Sequence, residues 1–227
     1  MFGFQQIKTP GKFTAAIIVL LLNMGLITYA FIIEPAVKYL FAKDSKPTQK
    51  YNRITQLKTN GIKVIIIKSN IINAFATGIF PGAKLILLSS ALVENLEPKE
   101  VDAIIYHEIG HIKLHHLVKL YAISIVCMIP GITIAVYFIP LVHNTWLTPL
   151  IGMLNGGFCM GLLPFLGTSF FMRKNEYEAD AFAAKNVSVE VMTNTLFKLN
   201  KLLHKNPDKK SYSHPSSNQR IAHLKSN

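Results

Sequence analysis

Two long apolar runs dominate this chain and limit what it can become. One spans about 120–142 and the other 146–172, and the uncharged turn His143-Asn144-Thr145 joins them. A helix of about 20 apolar residues crosses the hydrocarbon core of a bilayer. Each run is long enough, and the short join makes the pair a helical hairpin. A third run, Phe13–Ile33, sits between Lys12 and Glu34-Pro35. Its apolar core exceeds the roughly 7–15 residues of a signal peptide, and no good A-x-A site follows it. An uncleaved N-terminal anchor is therefore expected. The spacings Gly152/Gly156 and Gly157/Gly161 have the GxxxG form that lets a neighbouring helix approach closely.

Half of the 227 residues are hydrophobic, yet the formal net charge is +12. Basic residues scatter at span ends and on helix surfaces instead of forming a stripe with aromatics, which argues against a nucleic-acid partner. Lys38, Lys43, Lys46, Lys50 and Arg53 follow the first run, Lys113 and Lys119 precede the second, and Arg173-Lys174 follow the third. The positive-inside rule puts 34–119 and 173–227 in the cytoplasm and the N-terminus outside. The expected location is a bacterial cytoplasmic membrane, with the lipid bilayer itself as one partner. Cys127 and Cys159 lie inside apolar runs and read as small buried hydrophobes, not a disulfide framework.

The polar segments carry a different pattern. The β-branched run 62–67 reads as a strand, and 73–77 and 84–88 as two more, with a turn at 78–82 between them. Ser89-Ser90 precede a short capped helix, and Pro98 suits a first helical position. Val101, Ile104, Ile105, Glu108, Ile112 and His116 fall at helical spacings, which predicts a helix reaching at least 116. Residues 174–185 and 188–204 read as helices, the second amphipathic. Ser216-x-x-Gln219 has capping-box form and opens a last short helix. The expected divisions are an anchor over 1–42, a first polar segment over 43–119, the hairpin over 120–172, and a second polar segment over 173–227. Neither polar part is large enough alone, so the two are expected to pack together.

His107-Glu108-Ile109-Gly110-His111 is an H-E-x-x-H pattern on the predicted helix. At i and i+4 the two imidazoles share one face, as two ligands of one zinc ion require. Glu108 between them can work on a metal-bound water. A third ligand is needed, and Glu176 is the best candidate, with Asp180 one turn further along the same face. One carboxylate would bind metal and the other would orient a ligand histidine. The hairpin returns the chain to the side of the membrane that holds His107 and His111.

Four stretches, in order, now resemble one family. They are Asn73-Ala-Phe-Ala-Thr-Gly, His107-Glu-Ile-Gly-His-Ile-Lys-Leu-His-His116, Glu176-Tyr-Glu-Ala-Asp-Ala-Phe-Ala and His214-Pro-Ser-Ser-Asn-Gln-Arg-Ile. They are similar to motifs of the integral-membrane zinc proteases that include the CAAX prenyl protease and the heat-shock protease HtpX. The resemblance covers about residues 50–225. It implies a mainly α fold with a small β-sheet: a zincin-like metallopeptidase domain split by the transmembrane hairpin. It implies that His107, His111 and Glu176 bind one Zn²⁺ and that Glu108 is the catalytic base. It implies that His214 lies near the developing oxyanion, and that Asn73 and Arg220 help hold substrate or site. Substrates would be proteins or peptides, membrane-associated, adding as a strand beside the active-site helix.

The chain departs from that pattern in places. His115 stands where relatives often have Gly, and Ser216 replaces the second Pro of the late motif. Three spans cannot build the large membrane chamber of the prenyl protease, which favours a quality-control or regulatory protease over CAAX processing. The alternative functional reading is a zinc-binding but proteolytically silent membrane scaffold. A cationic tether for acidic lipid is a third. Oligomeric state is not legible.

Overall fold

The computed structural model describes residues 61–77, 84–138, 141, 147–210 and 214–226, with scattered positions between 21 and 37. The expected turn at 78–82, the hairpin join at 143–145 and most of the 13–33 run lie outside the described residues. The chain divides into two compact units, residues 1–29 with 122–167 and residues 30–121 with 168–227. It is mainly helical with a small mixed sheet.

The strands are β1 (Lys63–Ile67), β2 (Ala74–Thr77) and β3 (Leu85–Ser89). The helices are α1 (Ser90–Asn95), α2 (Pro98–Lys113), α3 (His116–Val126), α4 (Ile129–Thr133), α5 (Leu147–Asn155), α6 (Leu163–Asn186), α7 (Val189–Leu202) and α8 (Ser217–Ser226). Two π-helical segments, Ile134–Phe138 and Gly156–Leu162, follow α4 and α5. The second leads into Pro164, which lacks the N–H that a regular helix would use.

In the larger, more polar unit the sheet order is β1-β3-β2, with β3 parallel to β1 and antiparallel to β2. All five residues of β3 are buried, and the first four, Leu85 to Leu88, are apolar, as a strand covered on both faces requires. Ile66, Ile86 and Leu88 pack with Val93, Ile105 and Ile109 of the helices, while Ile65, Leu85 and Leu87 form a separate cluster. This is the period-two alternation of a strand. The three expected strands stand within a residue of their predicted positions. β2 is left as an edge.

Caps set where the helices begin. Ser89 Oγ accepts from the Leu92 N–H at 3.1 Å at the start of α1. Pro98 and a Glu97/Glu100 capping box open α2. A reciprocal Ser216–Gln219 box, at 3.2 and 3.3 Å, opens α8. The expectation that the helix runs through 116 is corrected: α2 stops at Lys113, and His115 takes a left-handed backbone at φ +57°. A left-handed residue cannot continue a right-handed helix, so His116 begins a new one. A second core, built on Ala103, Ala183, Met192, Leu196, Ile221 and Leu224, joins α2, α6, α7 and α8.

The smaller unit is apolar. Asn155 Nδ2 donates to the Gly131 carbonyl at 3.0 Å, tying the end of α5 to α4. A Cβ placed on Gly167 would lie 2.9 Å from Cys127 Sγ, so glycine is needed for that close approach. The GxxxG glycines do not serve this purpose, since a Cβ on any of the four would meet nothing within 4 Å. Large apolar side chains stand exposed, among them Met153 at 76% and Leu154 at 64%. Among the described residues, one helical stretch, His116–Thr133, is long and apolar enough to cross a membrane.

Candidate metal centre

The site is built where α2 and α6 touch. A Cβ on Gly110 would fall 3.1 Å from Ala179 Cα and 3.2 Å from Phe182 Cβ. The glycine of His-Glu-Ile-Gly-His therefore lets the backbones of the two helices approach, about one turn from His107 and next to His111. On α2, His107 and His111 share a face. On α6, Glu176 and Asp180 share another, four residues apart.

Ligand atoms of His107, His111 and Glu176 all lie within 4.8 Å of one another. The two imidazole Nε2 atoms are 3.1 Å apart. His111 Nε2 lies 3.4 Å from Glu176 Oε1, and His107 Nε2 lies 3.7 Å from Glu176 Oε2. Donors about 2.0–2.2 Å from a tetrahedral ion stand roughly 3.3–3.6 Å apart. The triplet therefore fits a zinc ion.

The surrounding groups hold this set in place. His107 Nδ1 lies 2.9 Å from Asp180 Oδ1, though off the line of an ideal hydrogen bond. That contact favours the proton on Nδ1 and a bare Nε2. Arg220 Nε donates to Asp180 Oδ2 at 2.6 Å, Arg220 Nη2 donates to Oδ1, and Nη1 lies 3.3 Å from Glu176 Oε2. Burial alone would push the Asp180 carboxyl up, but Arg220 and His107 outweigh it and hold it below its ordinary value. Burial likewise opposes ionisation of Glu176, yet His111, His214 and Arg220 keep its carboxyl well below the usual range. Arg220 is held charged, despite burial, by Asp180 and Glu176.

His214, expected near an oxyanion, has Nδ1 2.9 Å from Glu176 Oε2, with a half-exposed side chain. Asn73 is locked beside β2: its N–H donates to Ser89 Oγ at 3.0 Å and its carbonyl accepts from Ser89 N–H at 2.9 Å. Asn73, His107, Glu108, Glu176, His214 and Arg220 all line one cleft of about 700 Å³. Glu108 is 8% exposed.

Two pairings escaped the sequence reading. The Arg220–Asp180 pairing joins positions 40 apart, and only the family motif hinted at Arg220. His116 and Glu178 are in contact at 3.0 Å, and nothing in the local pattern marks Glu178 as a partner.

A model of peptidase family M48 matches residues 48–227. Protease HtpX of Salmonella arizonae and that of Salmonella newport are each 33% identical over 168 residues, 64% of this chain and 55% of the relative. The chain thus spans about half the length of the curated relatives it matches. The crystal structure of S. mikatae Ste24p shares the fold at a TM-score of 0.69 and 20% identity, covering 96% of this chain and 59% of that one. The chain belongs to peptidase family M48.

Proposed function

We propose that this chain is a membrane-embedded zinc metalloendopeptidase that hydrolyses peptide bonds of membrane or membrane-proximal proteins. The observation that carries the reading is the convergence of His107, His111 and Glu176 at the wall of a cleft that His107, Glu176 and buried Glu108 line. A zinc ion held by His107, His111 and Glu176 would supply Lewis acidity and lower the pKa of a water towards 7. Glu108 takes the proton of the attacking water and delivers it to the leaving amine. Arg220 and His214 place positive charge and a hydrogen-bond donor beside the developing oxyanion. The free edge of β2, with Asn73 at its start, offers backbone groups on which an extended substrate pairs.

The exposed apolar surface of the smaller unit supports membrane embedding, since soluble proteins rarely leave such area bare. Residues 120–172 are proposed as the hairpin and 1–42 as an anchor, with the peptidase segments 43–119 and 173–227 facing the cytoplasm. A silent zinc scaffold would keep the same three ligands. Buried Glu108 favours catalysis, because a structural ion does not require that carboxylate and burying it is costly. Chelation of the detergent-purified protein should abolish cleavage of an unfolded model protein, and added zinc should restore it. Undiminished cleavage by zinc-free protein would contradict the reading.

A further inference from the structure

The backbone break after α2 carries an unassigned chain of contacts. In an unbroken helix each residue turns about 100°, so His116 would sit about 140° around from His111 and could not reach it. The left-handed backbone at His115 changes this. His116 Nδ1 lies 2.9 Å from His111 Nδ1, and the two rings meet edge to face with centroids 5.0 Å apart. On its other side His116 Nε2 lies 3.0 Å from Glu178 Oε2. His116 is 1% exposed, so in this structure both its ring nitrogens are turned to these two partners.

From this geometry we infer that His116 and Glu178 form a relay that fixes the tautomer and ring orientation of His111 for metal binding. The inference rests on the proposed zinc site. The protons follow from one constraint. An ionised carboxylate only accepts, so His116 Nε2 must carry a proton and donate it to Glu178. Neutral His116 then presents a bare Nδ1, which accepts from His111 Nδ1–H. His111 is left with a bare Nε2, the atom that faces His107 Nε2 and Glu176. Lys119 and Lys174, with Nζ atoms 3.8 and 3.7 Å from the Glu178 carboxylate, favour its ionised form. The arrangement matches the other side of the site, where Asp180 stands at His107 Nδ1. Each histidine on α2 is therefore oriented from behind by α6, one directly and one through a second imidazole. His116 and Glu178 are positioning residues; neither touches substrate.

The test is zinc affinity, measured by chelator competition on the full-length protein in detergent. Outer partners of this kind are typically worth about 10–100-fold in metal affinity. His116→Leu removes the acceptor and should weaken zinc binding by about that factor. His116→Asn restores a carbonyl acceptor and should recover most of the loss. Glu178→Ala, at a side chain 33% exposed, is the variant least able to disturb folding, and should weaken binding by about 10-fold. The relay is overturned if Glu178→Ala binds zinc as tightly as wild type, or if folded His116→Leu does so. Wild type without zinc affinity would overturn the metal site itself, a result distinct from wild-type binding that the variants leave untouched.

Discussion

The two units of this molecule use helices in opposite ways. In the larger unit the apolar side chains turn inward: Ile86, Leu88 and Ile105 are fully buried. In the smaller unit comparable side chains stand outward, Met153 and Leu154 among them. The first arrangement is what water selects; the second is what an apolar surrounding medium favours. Every group of the candidate metal centre belongs to the larger unit. Within the smaller unit, a polar link between helices is Asn155 Nδ2 donating to the Gly131 carbonyl. Chemistry and lipid-type surface are thus separated along the sequence, and substitutions in the two units should fail in different assays.

The largest effect is expected at a ligand. Glu176→Ala should lower peptide cleavage by about a thousandfold, roughly 4 kcal/mol of barrier, and weaken zinc binding, while circular dichroism of the detergent-solubilised protein stays near wild type. Next comes Arg220→Met, which leaves Asp180 and Glu176 buried without their cation. It should destabilise by about 3–5 kcal/mol at pH 7, read by denaturant unfolding of zinc-free protein. The sign with pH follows from the depressed carboxyls. Their contribution is full above the unfolded values near pH 4 and is lost as pH falls through the lower folded values. The deficit of the variant should therefore shrink in acid.

Leu154→Arg should cost about 2.5–3.5 kcal/mol in a membrane-insertion assay. The same charge added at exposed Asn194 should change stability by less than about 0.5 kcal/mol. Equal effects at the two positions would dissolve the contrast between the units. Gly110→Ala forces α2 away from Ala179 and should cost about 1–3 kcal/mol in thermal unfolding, with activity falling more than stability. The smallest effect is at His115. His115→Gly removes a side chain from a left-handed backbone and should stabilise by about 1 kcal/mol or less.

Much of this was legible because it is periodic or local. The strands show in β-branched runs, the caps in Ser89, Pro98 and Ser216, and the ligand pair in the four-residue spacing of His107 and His111. The end of α2 was not legible in the periodicity. The apolar periodicity continues to His116 across a break that His115 makes in its backbone alone; the signal that marks it is that relatives often carry Gly at this position, the residue a left-handed φ favours. Gly110 was visible as a motif letter, but its reason, the backbone of α6 at Ala179, exists only in the fold. Glu178 lies on the other face of the turn that holds Glu176, so spacing ranks it as a solvated acid. Only the break after α2 brings His116 to it.

The central claim is that buried Glu108 drives hydrolysis at a zinc ion held by His107, His111 and Glu176. The most direct measurement compares wild type and Glu108→Gln, each purified in detergent, for bound zinc and for cleavage of an unfolded model protein. About one zinc in both proteins, with cleavage by wild type alone, is the expected result. Equal cleavage by zinc-loaded Glu108→Gln would contradict it.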